Sequence, residues 1–207
     1  MNREERLIDL TKPMDGRLAV YSEDGYSDPP FSIQTWTTVA EQGYWVSRVN
    51  LGTQTGTHID APAHFDAFGA TLEALPVTEL VGRYFLLSWV GEEPDVITRA
   101  RAYAGEPFLF LNHKDGIRMS LEEMDYLCAL AARVWVIAAG VQVVGQDPLY
   151  FHRRLAAEGK FLIEDLDLDA AARVGCAGEL YALPLNLQAV SGAPCRVVAL
   201  PDADSTR

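Results

Sequence analysis

Short runs of apolar and β-branched residues, separated by glycine, proline and acidic residues, extend along most of the chain. Runs of this length predict β-strands rather than long amphipathic helices. The predicted strands cover residues 7–10, 31–39, 45–51, 83–90, 107–111, 134–138, 161–163, 179–187 and 196–200. The second and third of these, joined by the turn residues Glu41-Gln42-Gly43, predict a β-hairpin.

Two helices are predicted among these strands. Ser120 precedes Glu123 by three residues, which is the spacing of a capping box, and the helix that it opens runs to about residue 132. Pro148 suits a first helical turn and Gly159 a C-terminal stop, so residues 148–158 form the second predicted helix. Many strands with two helices, and no repeat or linker, indicate a single mixed α/β domain over residues 1–207.

The composition agrees with one globular domain and argues against several classes of protein. At 207 residues, with 49% hydrophobic and 22% charged residues, the chain is long enough for one core and short for two. A net charge of −12 and a pI near 4.7 argue against nucleic-acid binding through phosphate contacts. No apolar run reaches the roughly 20 residues that span a membrane, and the N-terminus lacks the apolar segment of a signal peptide. Three scattered cysteines favour free thiols, so we expect a cytoplasmic protein.

The segment with the most chemical information reads Gln54-Thr55-Gly56-Thr57-His58-Ile59-Asp60-Ala61-Pro62-Ala63-His64. Imidazole and carboxylate groups are common ligands of zinc and manganese ions. Because one residue separates His58 from Asp60, an extended backbone directs both side chains to the same face. Gly56 permits close approach of the backbone, and Pro62 stiffens the exit. The favoured interpretation is a metal-binding loop at the end of a strand; the alternative is a His–Asp pair that only fixes a loop.

Three further residues are candidates for the same site. His64, four residues after Asp60, could be a third metal ligand, a general acid/base next to the metal, or a structural loop histidine. Metal sites usually draw on more than one segment, and His152 and Glu164 qualify as distant partners. His152 falls early in the second predicted helix, and Glu164 follows three apolar residues. Their alternatives are a surface histidine on a helix and a carboxylate at a strand end.

The segment resembles the signature of the cyclase family, His-x-Gly-Thr-His-x-Asp-x-Pro-x-His, whose best-known members are bacterial kynurenine formamidases and isatin hydrolases. The positions that match are Gly56, Thr57, His58, Asp60, Pro62 and His64. The first position departs, because Gln54 stands where the family has histidine, and residues 141–150 are shorter than the corresponding stretch of relatives. The resemblance implies a swivelling β/β/α fold with a mixed sheet or barrel core and flanking helices. It also implies a homodimer.

The resemblance further implies a set of metal ligands. These are Gln54, His58 and Asp60 for one metal, and Asp60, His152 and Glu164 for a second. A glutamine amide is a neutral and poor zinc ligand beside imidazole, so the position at Gln54 is weakened. We therefore expect one firmly bound zinc or manganese ion rather than a tight pair. Its ligands would be His58 or Asp60 together with His152 and Glu164.

The resulting hypothesis is a metal-dependent hydrolase of a small amide, lactam or lactone, similar to an arylformamidase. The resemblance implies that His64 is the general acid/base and that Tyr21 lies near an aromatic substrate contact. Two alternatives stay open: a cyclase or dehydratase-type biosynthetic enzyme that uses the same remodelled site, and a non-catalytic ligand-binding homologue. His113 stands in a turn-rich segment and is interpreted as a surface loop histidine.

Overall fold

The computed structural model describes residues 4–23, 25–89 and 96–203 of the chain. The strands in chain order are β1 (Ile8–Asp9), β2 (Ser22–Glu23), β3 (Tyr26–Ser27), β4 (Ser32–Thr37), β5 (Val46–Asn50), β6 (His58–Asp60), β7 (Val81–Ser88), β8 (Phe108–Asn112), β9 (Ile117–Met119), β10 (Val134–Ile137), β11 (Val141–Val143), β12 (Phe161–Glu164), β13 (Ala177–Pro184) and β14 (Gly192–Pro201). The α-helices are α1 (Val39–Gln42), α2 (Val96–Ala100), α3 (Leu121–Cys128), α4 (Tyr150–Ala157) and α5 (Leu168–Ala171). Short 3₁₀ helices cover Glu4–Arg6, Pro62–His64, Leu72–Ala74 and Val77–Glu79.

Seven strands close into a barrel in the order β14-β13-β7-β8-β10-β12-β6, and β6 returns to β14. The pairs β7–β8, β8–β10 and β10–β12 are parallel, and the other pairs of the barrel are antiparallel. β1 pairs with residues 198–199 of β14, beyond the segment 192–194 that pairs with β6. The mixed α/β fold with a barrel core, which the sequence indicated, is confirmed.

The barrel strands alternate their apolar side chains between two sides. Phe108 and Phe110 of β8 belong to a buried cluster to which all seven barrel strands contribute, so this cluster fills the interior. Leu109 and Leu111 face the other way and pack in a second buried cluster, which includes residues of α2, α3 and α4. β8 is therefore covered on both faces, which explains its uninterrupted apolar sequence.

The predicted elements are present with shifted boundaries. The predicted strand 83–90 corresponds to β7, and residue 90 lies outside the described residues. The capping box of α3 is confirmed, since Glu123 N donates to Ser120 Oγ at 3.2 Å and Ser120 N donates to Glu123 Oε2 at 2.7 Å. The helix ends at Cys128 rather than near residue 132. The placement of Pro148 in a first helical turn is wrong, because a turn anchored by the Asp147 side chain precedes α4.

The segments outside the barrel also follow the sequence in outline. β4 and β5 form the expected hairpin, with α1 and Gly43, whose φ is 80°, between them. The loop 12–30 contains the small hairpin of β2 and β3. Cys128 and Cys195 are buried free thiols, and Cys176 is exposed. In the described part of the chain, every helix is too short or too polar to cross a lipid bilayer.

Candidate metal centre

Strand β6 carries the first two candidate ligands. Ile59 between them belongs to the barrel interior, so His58 and Asp60 both face the outer side of the barrel, as the spacing predicted. Each of the two residues is 4% exposed. β12 lies antiparallel to β6 with Glu164 opposite His58, and β14 on the other side has Pro194 opposite His58. Two neighbouring strands thereby bring one imidazole and two carboxylates together.

The imidazole of His58 stands between the two carboxylates. Its Nε2 lies 3.4 Å from Asp60 Oδ1 and 3.4 Å from Glu164 Oε1. Its Nδ1 lies 2.7 Å from Gly56 O, so the ring donates there and directs the lone pair of Nε2 at the carboxylates. Neither His58 Nε2 nor Asp60 Oδ2 has a hydrogen-bond partner among the described residues. A buried lone pair that faces two carboxylate oxygens requires a cation, either a proton or a metal ion.

The close approach of the His58 imidazole to the two carboxylates also shifts the pKa values of His58 and Glu164. Burial disfavours the charged imidazole of His58, but the carboxylates of Asp60 and Glu164, each 3.4 Å from Nε2, outweigh this effect and raise the pKa of His58 well above its ordinary value. Burial acts to raise the pKa of Glu164, yet the hydrogen bond with His152 and the nearby imidazole of His58 bring that pKa well below its usual range. A positive charge is therefore favoured beside these carboxylates.

Helix α4 adds the second histidine. His152 lies in its first turn, and Nε2 is 3.2 Å from Glu164 Oε2, so Glu164 bridges His152 and His58. The other ring nitrogen, Nδ1, is buried and has no hydrogen-bond partner in the described chain. The ring packs against Phe65, with centroids 5.2 Å apart. A cavity of about 10 Å³ lies between Asp60, Phe65 and His152, roughly the size needed for one water molecule.

The amide of Gln54 turns its nitrogen, not its oxygen, toward the site. Nε2 donates to Asp60 Oδ1 and to Ser191 Oγ, each at 3.4 Å, while Oε1 accepts a hydrogen bond from Thr53. Gly192 permits this packing, since a Cβ there would lie 2.6 Å from Gln54 Nε2. Gln54 therefore contacts Asp60 as a donor. The sequence alone did not assign Ser191 or Gly192 to the site; the one signal is a glycine at a strand, where close backbone approach is common.

The residues before His58 fix the position of the segment. Gly56 has a φ of 67°, a left-handed conformation that glycine adopts without strain. Thr57 Oγ1 accepts a hydrogen bond from Lys12 N at 2.9 Å and donates to Asp165 O at 2.7 Å. Thr57 thus ties the motif to the segment after β1 and to the residue that follows β12.

His64 lies at the edge of this group. It ends the 3₁₀ helix Pro62–His64, is exposed, and packs edge-on against Phe65 with centroids 4.5 Å apart. Phe65 packs in turn against His152, so one aromatic ring separates the two histidines. The structure therefore does not bring His64 into the His58–Asp60–Glu164 group.

Tyr21 and His113 lie in loops of their own. Tyr21 is 51% exposed, and its hydroxyl donates to Glu23 within the loop 12–30. Its ring faces that of Tyr26, with centroids 6.4 Å apart. His113 Nδ1 lies 2.8 Å from Gly116 O in a turn, which agrees with a loop histidine.

The donor set fits a divalent metal ion. One ligand atom each from His58, Asp60 and Glu164 lie within 4.8 Å of one another. An imidazole nitrogen with two carboxylate oxygens is a ligand set that zinc and manganese accept. The unpartnered His58 Nε2 and Asp60 Oδ2 supply lone pairs that such an ion would use.

Comparison with known proteins also indicates metal-dependent hydrolases and cyclases as the proteins that this chain resembles. Residues 8–109 match the family described as "Putative cyclase". A solved structure described as a potential metal-dependent hydrolase with cyclase activity is 27% identical, with 93% of this chain and 96% of that chain covered and a TM-score of 0.70. A predicted metal-dependent hydrolase from Bacillus stearothermophilus is 26% identical, with 93% and 97% covered and a TM-score of 0.69. Isatin hydrolase A from Labrenzia aggregata shares the fold at 20% identity, with 95% and 93% covered and a TM-score of 0.72.

Fold and site together define an α/β barrel of the metal-dependent hydrolase type. The resemblance of the segment 54–64 to the cyclase signature is confirmed by the match of residues 8–109 to the family described as "Putative cyclase". The similar solved structures are described as enzymes, in agreement with the enzyme class that the sequence indicated.

Proposed function

We propose that this protein is a metal-dependent hydrolase that cleaves a small amide, lactam or lactone. The observation that carries the proposal is the buried Nε2 of His58, which faces Asp60 and Glu164 at 3.4 Å and has no hydrogen-bond partner among the described residues. Similarity to two structures described as a predicted and a potential metal-dependent hydrolase, at 26% and 27% identity, supports the reaction class. A homodimer, which the family resemblance implies, is part of the proposal.

The ligands of the metal would be His58, Asp60 and Glu164. His152 is a fourth candidate, because its Nε2 lies 3.2 Å from Glu164 Oε2. A bound zinc or manganese ion would polarise a substrate carbonyl and lower the pKa of a water molecule toward neutrality. Gln54 would hold Asp60 through its amide nitrogen rather than bind metal, and for this reason we expect one firmly bound ion rather than two.

His64 would move the proton in this reaction. Its exposed ring lies at the rim of the site, one aromatic ring from His152. His64 would take a proton from the attacking water and deliver it to the leaving nitrogen or oxygen as the C–N or C–O bond breaks. Exposure to solvent lets the imidazole exchange protons between turnovers. Tyr21 is retained as a proposed aromatic contact for the substrate.

Elemental analysis of protein purified without chelators or added metal tests the metal site. We expect about one zinc or manganese ion per chain, and its loss in His58→Ala. His113→Ala is the matched control and should keep the ion, since His113 lies in a turn of its own. Protein that carries no metal and takes up none on titration contradicts the proposal.

Activity assays test the reaction separately from the metal. The loaded protein should hydrolyse at least one of an aryl formamide, an aromatic lactam and a lactone. Bound metal without turnover of any of the three would leave the site intact and overturn the hydrolase assignment.

A ring-forming or water-eliminating enzyme is the second candidate. The amide of Gln54 beside Asp60, where the family signature has histidine, remodels the site and favours this alternative. The similar structure at 27% identity is also described as having cyclase activity. Efficient hydrolysis of an aryl formamide would exclude this second candidate.

A further inference from the structure

The side-chain amide of Gln54 has a partner for each of its hydrogen-bonding groups. Its nitrogen donates to Asp60 Oδ1 and to Ser191 Oγ, each at 3.4 Å, and its oxygen accepts a hydrogen bond from the Thr53 hydroxyl. An amide nitrogen carries two N–H groups, so the carboxylate of Asp60 and the hydroxyl of Ser191 provide one acceptor for each of them. The two acceptors come from segments that are distant in sequence, and the Gln54 amide connects them.

The carboxylate of Asp60 determines which end of the amide faces the candidate site. If the amide were turned over, its oxygen would lie beside Asp60 Oδ1, and two acceptor oxygens without a hydrogen between them repel each other. The nitrogen therefore faces Asp60. Its second N–H group needs an acceptor of its own, because Gln54 is half-buried. Ser191 Oγ is the acceptor that meets this need.

Paired strands hold Ser191 beside Asp60. Ser191 directly precedes β14, and its carbonyl oxygen accepts a hydrogen bond from Ala61 N at 2.8 Å. The next residue, Gly192, pairs with Asp60, and a Cβ on this glycine would lie 2.6 Å from Gln54 Nε2. The glycine thus leaves room for the amide. A contact that is built on paired strands is held more precisely than one that is built on a loop.

The hydrogen bond from Gln54 restrains the carboxylate of Asp60. Two nitrogens, Gln54 Nε2 and His58 Nε2, each lie 3.4 Å from Asp60 Oδ1. The other oxygen, Asp60 Oδ2, is buried and has no hydrogen-bond partner among the described residues. A donor on Oδ1 limits rotation of the carboxylate and so keeps the direction of both oxygens. A ligand that is already oriented loses less entropy when a metal ion binds to it.

We infer that Ser191 is a positioning residue of the candidate metal centre. Its hydroxyl accepts a hydrogen bond from the Gln54 amide, and the amide in turn orients Asp60, so Ser191 acts through Gln54 rather than on the metal itself. The inference rests on the metal site of the proposed function and is independent of the reaction that the metal supports. Removal of a group that orients a metal ligand typically weakens metal affinity about 10–100-fold.

Metal affinity of the full chain, measured by competition with a chelator, tests the role of Ser191. The probe is zinc or manganese, whichever ion elemental analysis finds in the purified protein. Ser191→Ala removes the acceptor and should raise the metal dissociation constant about 10-fold. Ser191→Thr keeps a hydroxyl and should bind the ion within about twofold of the wild type. Gln188→Ala is the matched control and should leave the affinity unchanged, because Gln188 lies in the same β13–β14 connection but donates to Asn186.

A double variant shows whether Ser191 acts through Gln54. Gln54→Leu removes the amide and should raise the metal dissociation constant at least as much as Ser191→Ala does. If Ser191 acts only through the amide, the combination of both substitutions should bind the ion within about twofold of Gln54→Leu alone. Independent effects would instead multiply, to roughly 100-fold for two losses of about 10-fold each.

The Tm of the metal-free protein separates this role from a purely structural one. Metal-free Ser191→Ala should melt within about 4 °C of the metal-free wild type, since one hydrogen bond between neutral groups contributes little to a domain of this size. A much larger fall in Tm would assign Ser191 to the fold and overturn the inference.

The affinities can overturn the inference and leave the metal site standing. Equal affinity in Ser191→Ala and the wild type would do so, and so would multiplied losses in the double variant. A folded Ser191→Thr that binds the ion as weakly as Ser191→Ala would have the same meaning. Wild-type protein that takes up neither zinc nor manganese would overturn the metal site and, with it, the inference.

Discussion

The closure of the barrel beside the candidate site depends on one glycine. Gly192 begins β14 and pairs with Asp60 of β6. A Cβ at this position would lie 2.5 Å from Ile59 O, 2.6 Å from Gln54 Nε2 and 3.4 Å from Asp60 Oδ1. Contacts of this kind must lengthen by about 0.5–1 Å to reach ordinary separations. Gly192→Ala therefore forces β6 and β14 apart.

The expected size of the effect follows from this displacement. Overpacking of a buried site costs about 1–3 kcal/mol of unfolding free energy. For a domain of about 200 residues this loss lowers the Tm by roughly 2–12 °C. The same displacement moves Asp60 and Gln54, and disturbance of the groups that orient a metal ligand weakens metal affinity about 10–100-fold.

Scanning calorimetry gives the Tm of Gly192→Ala, and metal titration gives the affinity. Gly178→Ala is the matched control, because its Cβ would lie 2.4 Å from Leu200 O in the β13–β14 pair, which contributes no ligand. It should lower the Tm without weakening metal binding. Gly140→Ala should change neither, since no atom lies within 4 Å of the added Cβ. An unchanged Tm in Gly192→Ala, or an equal loss of affinity in Gly178→Ala, would refute the reasoning.

Three further variants test the site and the fold. Gln54→His puts an imidazole beside Asp60, so elemental analysis should find the metal content rising from about one toward two ions per chain. Gln54→Leu should stay at one ion per chain. The same metal content in both variants would mean that residue 54 does not determine how many ions the protein binds. His64→Ala should keep its metal and its Tm, because the side chain is exposed, while its turnover number falls at least about 100-fold. Loss of the metal from this variant would instead make His64 a metal ligand. Ser120→Ala removes the capping box of α3 and should cost about 1 kcal/mol in urea denaturation; an unchanged midpoint would show that the cap contributes nothing.

The parts of the site that depend only on residues adjacent in sequence could be predicted from the sequence. The shared face of His58 and Asp60 follows from the alternation of side chains along a strand, and Ile59 between them points into the barrel as that alternation requires. Glu164 follows an apolar strand, and its place at the end of β12 could be read from that order alone. The capping box of Ser120 is likewise local.

The remaining parts depend on pairing between distant segments. The register of β6 with β12 sets Glu164 opposite His58, and the return of β14 to β6 closes the barrel. No hydrophobic pattern specifies these neighbours, and β6 itself, with three residues, is too short to show a period. The direction of the Gln54 amide was also beyond the sequence, since it depends on Thr53 and on Ser191, which is distant in sequence.

The charge balance of the buried group favours a divalent cation over protons. With His58 neutral and donating through Nδ1 to Gly56, two ionised carboxylates remain in a site where the Asp60 side chain is 6% exposed and that of Glu164 is 23% exposed. One proton on His58 leaves the group with a net negative charge. An uncompensated buried charge lowers the free energy of unfolding by roughly several kcal/mol. A second proton on His152 would balance the charges, but the two imidazolium rings would then repel each other across Glu164. A single divalent ion neutralises both carboxylates and uses the Nε2 lone pair of His58 at the same time. For this reason the metal should stabilise the folded protein as well as take part in the reaction. Removal of the metal should lower the Tm of the wild type more than that of His58→Ala.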